Sequence, residues 1–256
     1  MKTEKQVSTW LIVLAIVCSL MGCAKKPELT PKEVYAAAYE KLNHLDGIHM
    51  DLAMDVVITA EGETKEMGLD VALLMEHPYR EDMKMAMSMT MDLPEMGPDL
   101  QDYYVDGYYL TDMEDQKVKY PMSLEDAMDY SAMVQELPLD ALSDITMTEE
   151  NGWKILTFSV DAKELMGEEM KDYLSNVPLV INSKGMTYQA FHGVMKVNEE
   201  GYPVDITMQI QYVIWAGSVW ECDATVTAVY NDPGKPVMVE IPNVSEYMEV
   251  DPETMS

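Results

Sequence analysis

Basic residues are scarce in this chain of 256 residues. Its 17 lysines and arginines stand against 46 aspartates and glutamates, which gives a formal net charge of −29 and a pI near 4.2. Proteins that bind nucleic acids need a basic surface to neutralise phosphates, so the composition predicts no nucleic-acid partner. Hydrophobic residues still make up 48% of the chain, an ordinary fraction for a globular protein, and this excludes wholesale disorder.

Phenylalanine is nearly absent, with 2 residues, and glycine and proline number only 13 each. The glycine and proline counts exclude collagen-like and low-complexity chains. Methionine, by contrast, is abundant at 25 residues. The apolar positions therefore use flexible thioethers where many proteins use rigid rings.

The N-terminal apolar run, residues 10–22, is too short to span a membrane, because as a helix it rises only about 20 Å against a hydrocarbon core of about 30 Å. It follows Lys2 and Lys5, as the apolar region of a signal peptide does. The run ends in Leu20-Met21-Gly22-Cys23, which resembles the lipobox of bacterial lipoproteins. An ordinary cleaved signal with a chance cysteine is the alternative.

The lipobox resemblance implies cleavage before Cys23 and a diacylglyceryl thioether on its sulfur. We therefore expect a signal peptide over residues 1–22, a lipidated tether over 23–30 and a single domain over 31–250. The covalent lipid on Cys23 would hold the protein on the extracytoplasmic face of the cell membrane.

The same processing would leave Cys222 as the one thiol, because Cys18 departs with the signal peptide and Cys23 is acylated. An intramolecular disulfide is then excluded. Cys222 falls in a strand pattern, which favours a buried structural cysteine over a nucleophile.

The remaining pattern is mostly strand. A helix is predicted from Pro31, capped by Thr30, and further helices from Ser123 to about Leu137 and over 161–178. Strict alternation predicts long strands over 50–58, 67–75 and 83–91, with a turn at residues 61–62 between the first two. Asp-Gly at 106–107 and Asn-Gly at 151–152 predict hairpins. The last third reads as strands over 187–198, 203–215, 218–230 and a short edge segment, 237–241.

The predicted class is therefore α+β: a strongly curved antiparallel sheet, or incomplete β-barrel, of about eleven strands with about three covering helices. This order of elements resembles the LolA/LppX-like lipoprotein carriers. The chain is also similar to an uncharacterised family of Gram-positive surface lipoproteins, over segments 103–110, 192–197, 200–204, 230–231 and 240–242. The resemblance implies a cavity that binds a lipid or another hydrophobic molecule.

The methionines suit three interpretations: ordinary core filling, an adaptable lining for an apolar guest, or capture of a soft metal such as Cu(I). Alternate residues on one strand face lie about 6.5 to 7 Å apart, which fits a continuous apolar strip better than a cluster of metal ligands. The candidate ligand-lining residues are Met50, Met54, Met67, Met75, Met83, Met85, Met87, Met89, Met91 and Met208.

Catalytic signatures are absent from the sequence. Its histidines, at positions 44, 49, 77 and 192, have no metal-ligand spacing, and no nucleophile elbow, Walker A loop or dinucleotide fingerprint occurs. The sequence predicts no enzyme, cofactor or metal site. The hypothesis is a membrane-anchored lipoprotein that binds a hydrophobic ligand in a Met-lined concave cavity. The alternative is an interaction or envelope-sensor module with a closed core and no ligand.

Overall fold

A computed structural model describes residues 29–92, 99–113, 116–131, 136–161, 186–215 and 217–251. Described residues from Pro31 onward belong to one compact unit. The helices are α1 (Pro31–Leu42) and α2 (Leu124–Ser131). The strands are β1 (Gly47–Ala60), β2 (Glu63–Glu76), β3 (Lys84–Met91), β4 (Leu100–Val105), β5 (Tyr108–Met113), β6 (Gln116–Pro121), β7 (Leu142–Glu150), β8 (Trp153–Val160), β9 (Met186–Val197), β10 (Pro203–Trp215), β11 (Val219–Tyr230) and β12 (Met248–Glu249).

All twelve strands form one open sheet in the order β12-β6-β5-β4-β3-β2-β1-β11-β10-β9-β8-β7. Neighbouring strands are antiparallel, apart from the parallel pair of β12 with β6. The sheet is not a closed barrel, since β12 and β7 lie at its two edges. The described part of the chain contains two α-helices, and the third predicted helix, over 161–178, lies almost wholly outside it.

The strand prediction needs three corrections, the first of which is that the two-residue strand β12 was not predicted. Strand β6 was not predicted, because its sequence is largely polar and it buries Val118 alone. The predicted edge strand over 237–241 forms no strand pairing. There the amide of Val239 donates to Glu76 Oε2 at 3.4 Å, so a side chain takes the place of a neighbouring strand.

The predicted helix starts at Pro31 and after Ser123 are confirmed, as are the predicted turns at 106–107 and 151–152. Ser123 Oγ accepts from the amide of Asp126 at 3.1 Å and caps α2. Leu137, however, is not helical, because its amide donates to the hydroxyl of Tyr35 on α1 at 3.0 Å. Positive φ angles at Asp106 (51°) and Gly107 (78°) agree with the predicted type I′ turn, and the hairpin at 151–152 repeats this pattern.

The main core lies on one face of the sheet, called here the inner face. One row of residues across it runs Met91, Leu69, Met54, Val226, Met208, Gly193, Phe158 through successive strand partners. Helix α1 covers the part of this face that includes β8, where the rings of Tyr35 and Phe158 meet edge-on with centroids 5.5 Å apart. On the opposite face, called the outer face, a small cluster joins Val105, Leu110 and Tyr247.

Candidate ligand-binding hollow

A hollow of about 840 Å³ opens on the inner face, beside the β1–β2 and β10–β11 turns. This volume lies within the range of about 300–1,000 Å³ that is typical of small-molecule sites. Three large apolar side chains line it: Ile58, Met67 and Trp220. The remaining lining residues are Ala60, Glu61, Glu63, Lys65, Glu66 and Ser218.

Strand register explains why these apolar side chains share one wall. Ile58 on β1 lies opposite Cys222 on β11, and Ala60 lies opposite Trp220. Met67 on β2 lies opposite Val56, which belongs to the main core. Because cross-strand partners point to the same face, the hollow continues directly into the buried face of the sheet.

The polar nitrogen of Trp220, a lining residue of the hollow, already has a hydrogen-bond partner. The indole Nε1 donates to Ser218 Oγ at 3.0 Å, which satisfies its one donor within the turn. The ring is partly buried and packs against the main core. The side chain can therefore offer apolar area to a ligand without leaving a polar atom unpaired.

Next to Ile58 on the inner face, successive cross-strand partners are the thiol of Cys222 and the phenols of Tyr212 and Tyr188. Cys222 is buried and free, as predicted, and lies opposite Tyr212 on β10. The rings of Tyr212 and Tyr188 lie 6.0 Å apart. Burial raises the pKa of the Cys222 thiol and of the Tyr212 hydroxyl, and it raises the pKa of Tyr188 to about 12. These groups are therefore neutral at physiological pH.

The rim of the hollow is acidic. Glu61, Glu63 and Glu66 outnumber Lys65 among its lining residues. An acidic rim raises the local concentration of cationic groups and lowers that of anionic ones. The geometry is thus suited to an apolar molecule whose exposed end is neutral or cationic.

The structure brings the candidate methionines to one face, but it does not place them all in the hollow. Met67 lines it. Met89 and Met91 are partly buried against the main core, and seven others are at most 3% exposed within that core: Met50, Met54, Met75, Met83, Met85, Met87 and Met208. Contact of these seven with a ligand stays a prediction.

Ile58 and Trp220 were missed as candidate site residues by the sequence reasoning. Both lie on the alternating apolar face of a long strand, close to a turn. The available signal was the abrupt change from apolar alternation to charged residues over 61–66. A change from alternating apolar residues to charged residues marks the place where the buried face of a strand becomes exposed to solvent.

The described residues contain no group of three or more His, Cys, Asp or Glu side chains that could hold a metal ion. In the described part of the chain, no helix is long and apolar enough to cross a membrane.

No protein-family model matches the chain, and no curated protein matches it. Among solved structures, it is similar to the lipoprotein LppX of Mycobacterium tuberculosis, with 11% identity and a TM-score of 0.42, over 82% of this chain and 98% of that chain. It is also similar to LprF from Mycobacterium bovis, with 11% identity and a TM-score of 0.48, over 85% of this chain and 97% of that chain.

A LolA superfamily protein from Nitrosomonas europaea is similar at 7% identity and a TM-score of 0.24, over 84% of this chain and 96% of that chain. The similar structures thus include the LolA/LppX-like proteins to which the sequence resemblance pointed. At these identities and TM-scores the likeness transfers neither a ligand nor any residue's role to this chain.

Proposed function

We propose that the protein is a non-enzymatic lipoprotein, anchored through Cys23 on the extracytoplasmic face of the membrane, that binds a lipid or another hydrophobic molecule on the inner face of its sheet. The observation that carries this proposal is the hollow lined by Ile58, Met67 and Trp220, which opens onto the main core. An apolar ligand entering there would bury the exposed parts of these side chains, and apolar burial is worth about 25 cal/mol per Å².

The methionines next to the hollow would let the site adapt to apolar ligands of different length. Met50, Met54 and Met208 lie on the same inner face, deeper than Met67. A thioether side chain is unbranched and changes rotamer easily, so it can exchange contacts with its neighbours for contacts with an acyl chain. A ligand longer than the hollow would therefore extend along this strip of methionines.

The anchor is proposed from the sequence at 20–23. Acyl chains on Cys23 hold a protein durably when two or more are attached, whereas a single chain binds reversibly. Helix α1 begins at Pro31, so seven residues separate it from the anchoring cysteine. Such a short tether would keep the start of the folded domain close to the membrane that would supply the ligand.

Uptake of a fluorescent apolar probe tests the binding function. Delipidated full-length protein should take up N-phenyl-1-naphthylamine at micromolar concentration, and the Met67→Glu variant should bind it about tenfold more weakly, because a carboxylate in the hollow must be desolvated. Met238→Glu is the matched control, since Met238 is 85% exposed and lies outside the hollow. Equal binding by both variants, or no uptake by the unmodified chain, contradicts the proposal.

One observation favours the alternative, a sensor or interaction module with a closed core. The seven candidate methionines that lie within the main core are at most 3% exposed, as expected of ordinary core residues. Native mass spectrometry of protein purified from its own membrane separates the two functions. A co-purifying apolar molecule supports carriage, whereas a stoichiometric protein partner without lipid supports the sensor module.

A further inference from the structure

A second concave site lies on the outer face, at the end of the strands opposite the hollow. It is a groove of about 740 Å³, called here the turn groove. Its floor is formed by Lys196, Asp205 and Val229, which are consecutive cross-strand partners on β9, β10 and β11. Three segments bound it: Trp153 directly after the β7–β8 turn, the β9–β10 turn and the turn that follows β11.

Hydrogen bonds stabilise two walls of the turn groove. In the β9–β10 turn, Asn198 Oδ1 accepts from the amide of Tyr202 at 2.9 Å. Lys41 of α1 donates to the carbonyl of Glu200, and its ammonium lies 4.5 Å from the centre of the Tyr202 ring. After β11, the amide of Asn231 donates to the carbonyl of His49 at 2.8 Å. A ligand would therefore meet a preformed surface, which lowers the entropic cost of binding.

The turn groove exposes one large aromatic ring. Trp153 begins β8 and is 41% exposed, and Val229 on the floor is 37% exposed. A groove with an exposed indole favours a ligand that has an apolar face to stack on it.

The charged side chains that line the groove together with Trp153 include two ion pairs, each of which has a hydrogen-bond donor and an acceptor. Lys196 Nζ lies 2.6 Å from Asp205 Oδ2, and Lys235 Nζ lies 2.7 Å from Asp232 Oδ1. Asn198 and Asn231 add two amides to the lining. The groove thus offers hydrogen bonds of both kinds, and its four carboxylates outnumber its two lysines, which disfavours an anionic ligand.

We propose that the turn groove binds a saccharide, with a pyranose ring stacked on Trp153 and its hydroxyls bonded to the Lys196–Asp205 pair. A pyranose has one face rich in C–H groups, which suits the electron-rich face of an indole. Its equatorial hydroxyls each donate and accept, and so they match ion-paired side chains better than a purely apolar or singly charged ligand does. This site is separate from the hollow, and its test does not depend on lipid binding.

Calorimetric titration of the full chain, in a detergent that carries no sugar, tests this site. The probes are the tetrasaccharides of N-acetylglucosamine, cellulose and maltose, each at up to about 5 mM, a range that detects weak binding. We expect at least one to bind, and Trp153→Ala to weaken it about tenfold or more. Trp153→Phe should retain part of the affinity, because it keeps an aromatic face.

Trp215→Ala is the matched control, because Trp215 is 64% exposed but lies at the other end of the strands, and its affinity for the saccharide should be unchanged. Thermal unfolding of each variant identifies any loss of fold, and Lys196→Met with Asp205→Asn gives a second test that leaves Trp153 in place. The proposal is overturned if no tetrasaccharide binds, if Trp153→Ala and Trp215→Ala weaken binding equally, or if the groove binds spermidine or a lysine-rich peptide instead.

Discussion

At the scale of single residues, Gly193 decides how the helix-covered part of the core packs. It lies opposite Phe158, and a Cβ at position 193 would overlap the phenyl ring. The ring occupies that space and meets Tyr35 of α1 edge-on. The absence of a side chain at Gly193 therefore leaves room for the Phe158 ring, which connects the sheet to the covering helix α1.

We expect Gly193→Ala to destabilise the protein by about 1–3 kcal/mol, the usual cost of overpacking a core. Urea unfolding followed by circular dichroism measures this change. Gly68→Ala is the control, because the nearest atom to its Cβ would be Asp92 Cβ at 3.4 Å, an ordinary contact. Equal stability of the two variants would show that Phe158 does not depend on the space at position 193.

Asp102 is a buried carboxyl on the inner face, opposite Met87. It is 2% exposed, and its Oδ1 has no hydrogen-bond partner within the described part of the chain. Burial raises the pKa of Asp102, and the hydroxyls of Tyr109 and Thr111 oppose this rise only in part. The folded protein therefore holds a proton at pH values where the unfolded chain has released it.

This difference gives stability a defined pH dependence. The contribution of Asp102 is most favourable below the unfolded-state pKa of about 3.8 and is lost as pH rises through the higher folded-state pKa. Asp102→Asn should remove that dependence and stabilise the protein at pH 7 by roughly 1 kcal/mol, since an amide has no charge to desolvate. Urea unfolding at pH 5 and pH 7 measures it, with exposed Asp55→Asn as the control.

At the scale of elements, tight turns set the register of the hairpins. The β1–β2 turn places Glu61 at φ 54° and Gly62 at φ 85°, which are the angles of a type I′ turn. Glutamate is a poor residue for this left-handed conformation, whereas asparagine adopts it readily. The hairpins at 106–107 and 151–152 have Asp or Asn at the corresponding position.

We expect Glu61→Asn to raise the free energy of unfolding by about 0.5 kcal/mol, because it relieves the strained position. Glu63→Asn is the control, since Glu63 is the first residue of β2 and its φ is not positive. Differential scanning calorimetry compares the two variants. A lower melting temperature for Glu61→Asn would show that the turn is held by contacts of the glutamate side chain.

Strand alternation predicted the long central strands, but it missed β6 and placed an edge strand at 237–241. Alternation is visible where one face is buried along many residues, as in β1 and β2. It fails where little of a strand is buried or where side chains replace strand pairing. Strand β6 buries one residue, and the segment at 237–241 is held at the ends of β1 and β2 by Glu76 and by the close approach of Val237 to Gly47. These contacts are distant in the sequence, so no local pattern reports them.

At the scale of the whole molecule, the proposed lipid anchor determines where the protein acts. Replacing Cys23 by alanine removes the acceptor of the diacylglyceryl group, and the chain should leave the membrane fraction and lose incorporation of labelled palmitate. Cys222→Ala keeps the acceptor and should stay in the membrane fraction with its label. Membrane retention of Cys23→Ala would contradict anchoring through this residue.

The sequence by itself determined the acidic composition, the α2 cap, the type I′ hairpins and the alternating faces of the long strands, and it is the source of the proposed lipobox, because each depends on residues close together in the chain. Only the tertiary structure decided which end of the inner face stays open and which methionines are enclosed. Ile58, Met67 and Trp220 come from three strands, and the turn groove joins three separate segments. Sites of this kind arise from strand register, which depends on pairing over long sequence separations.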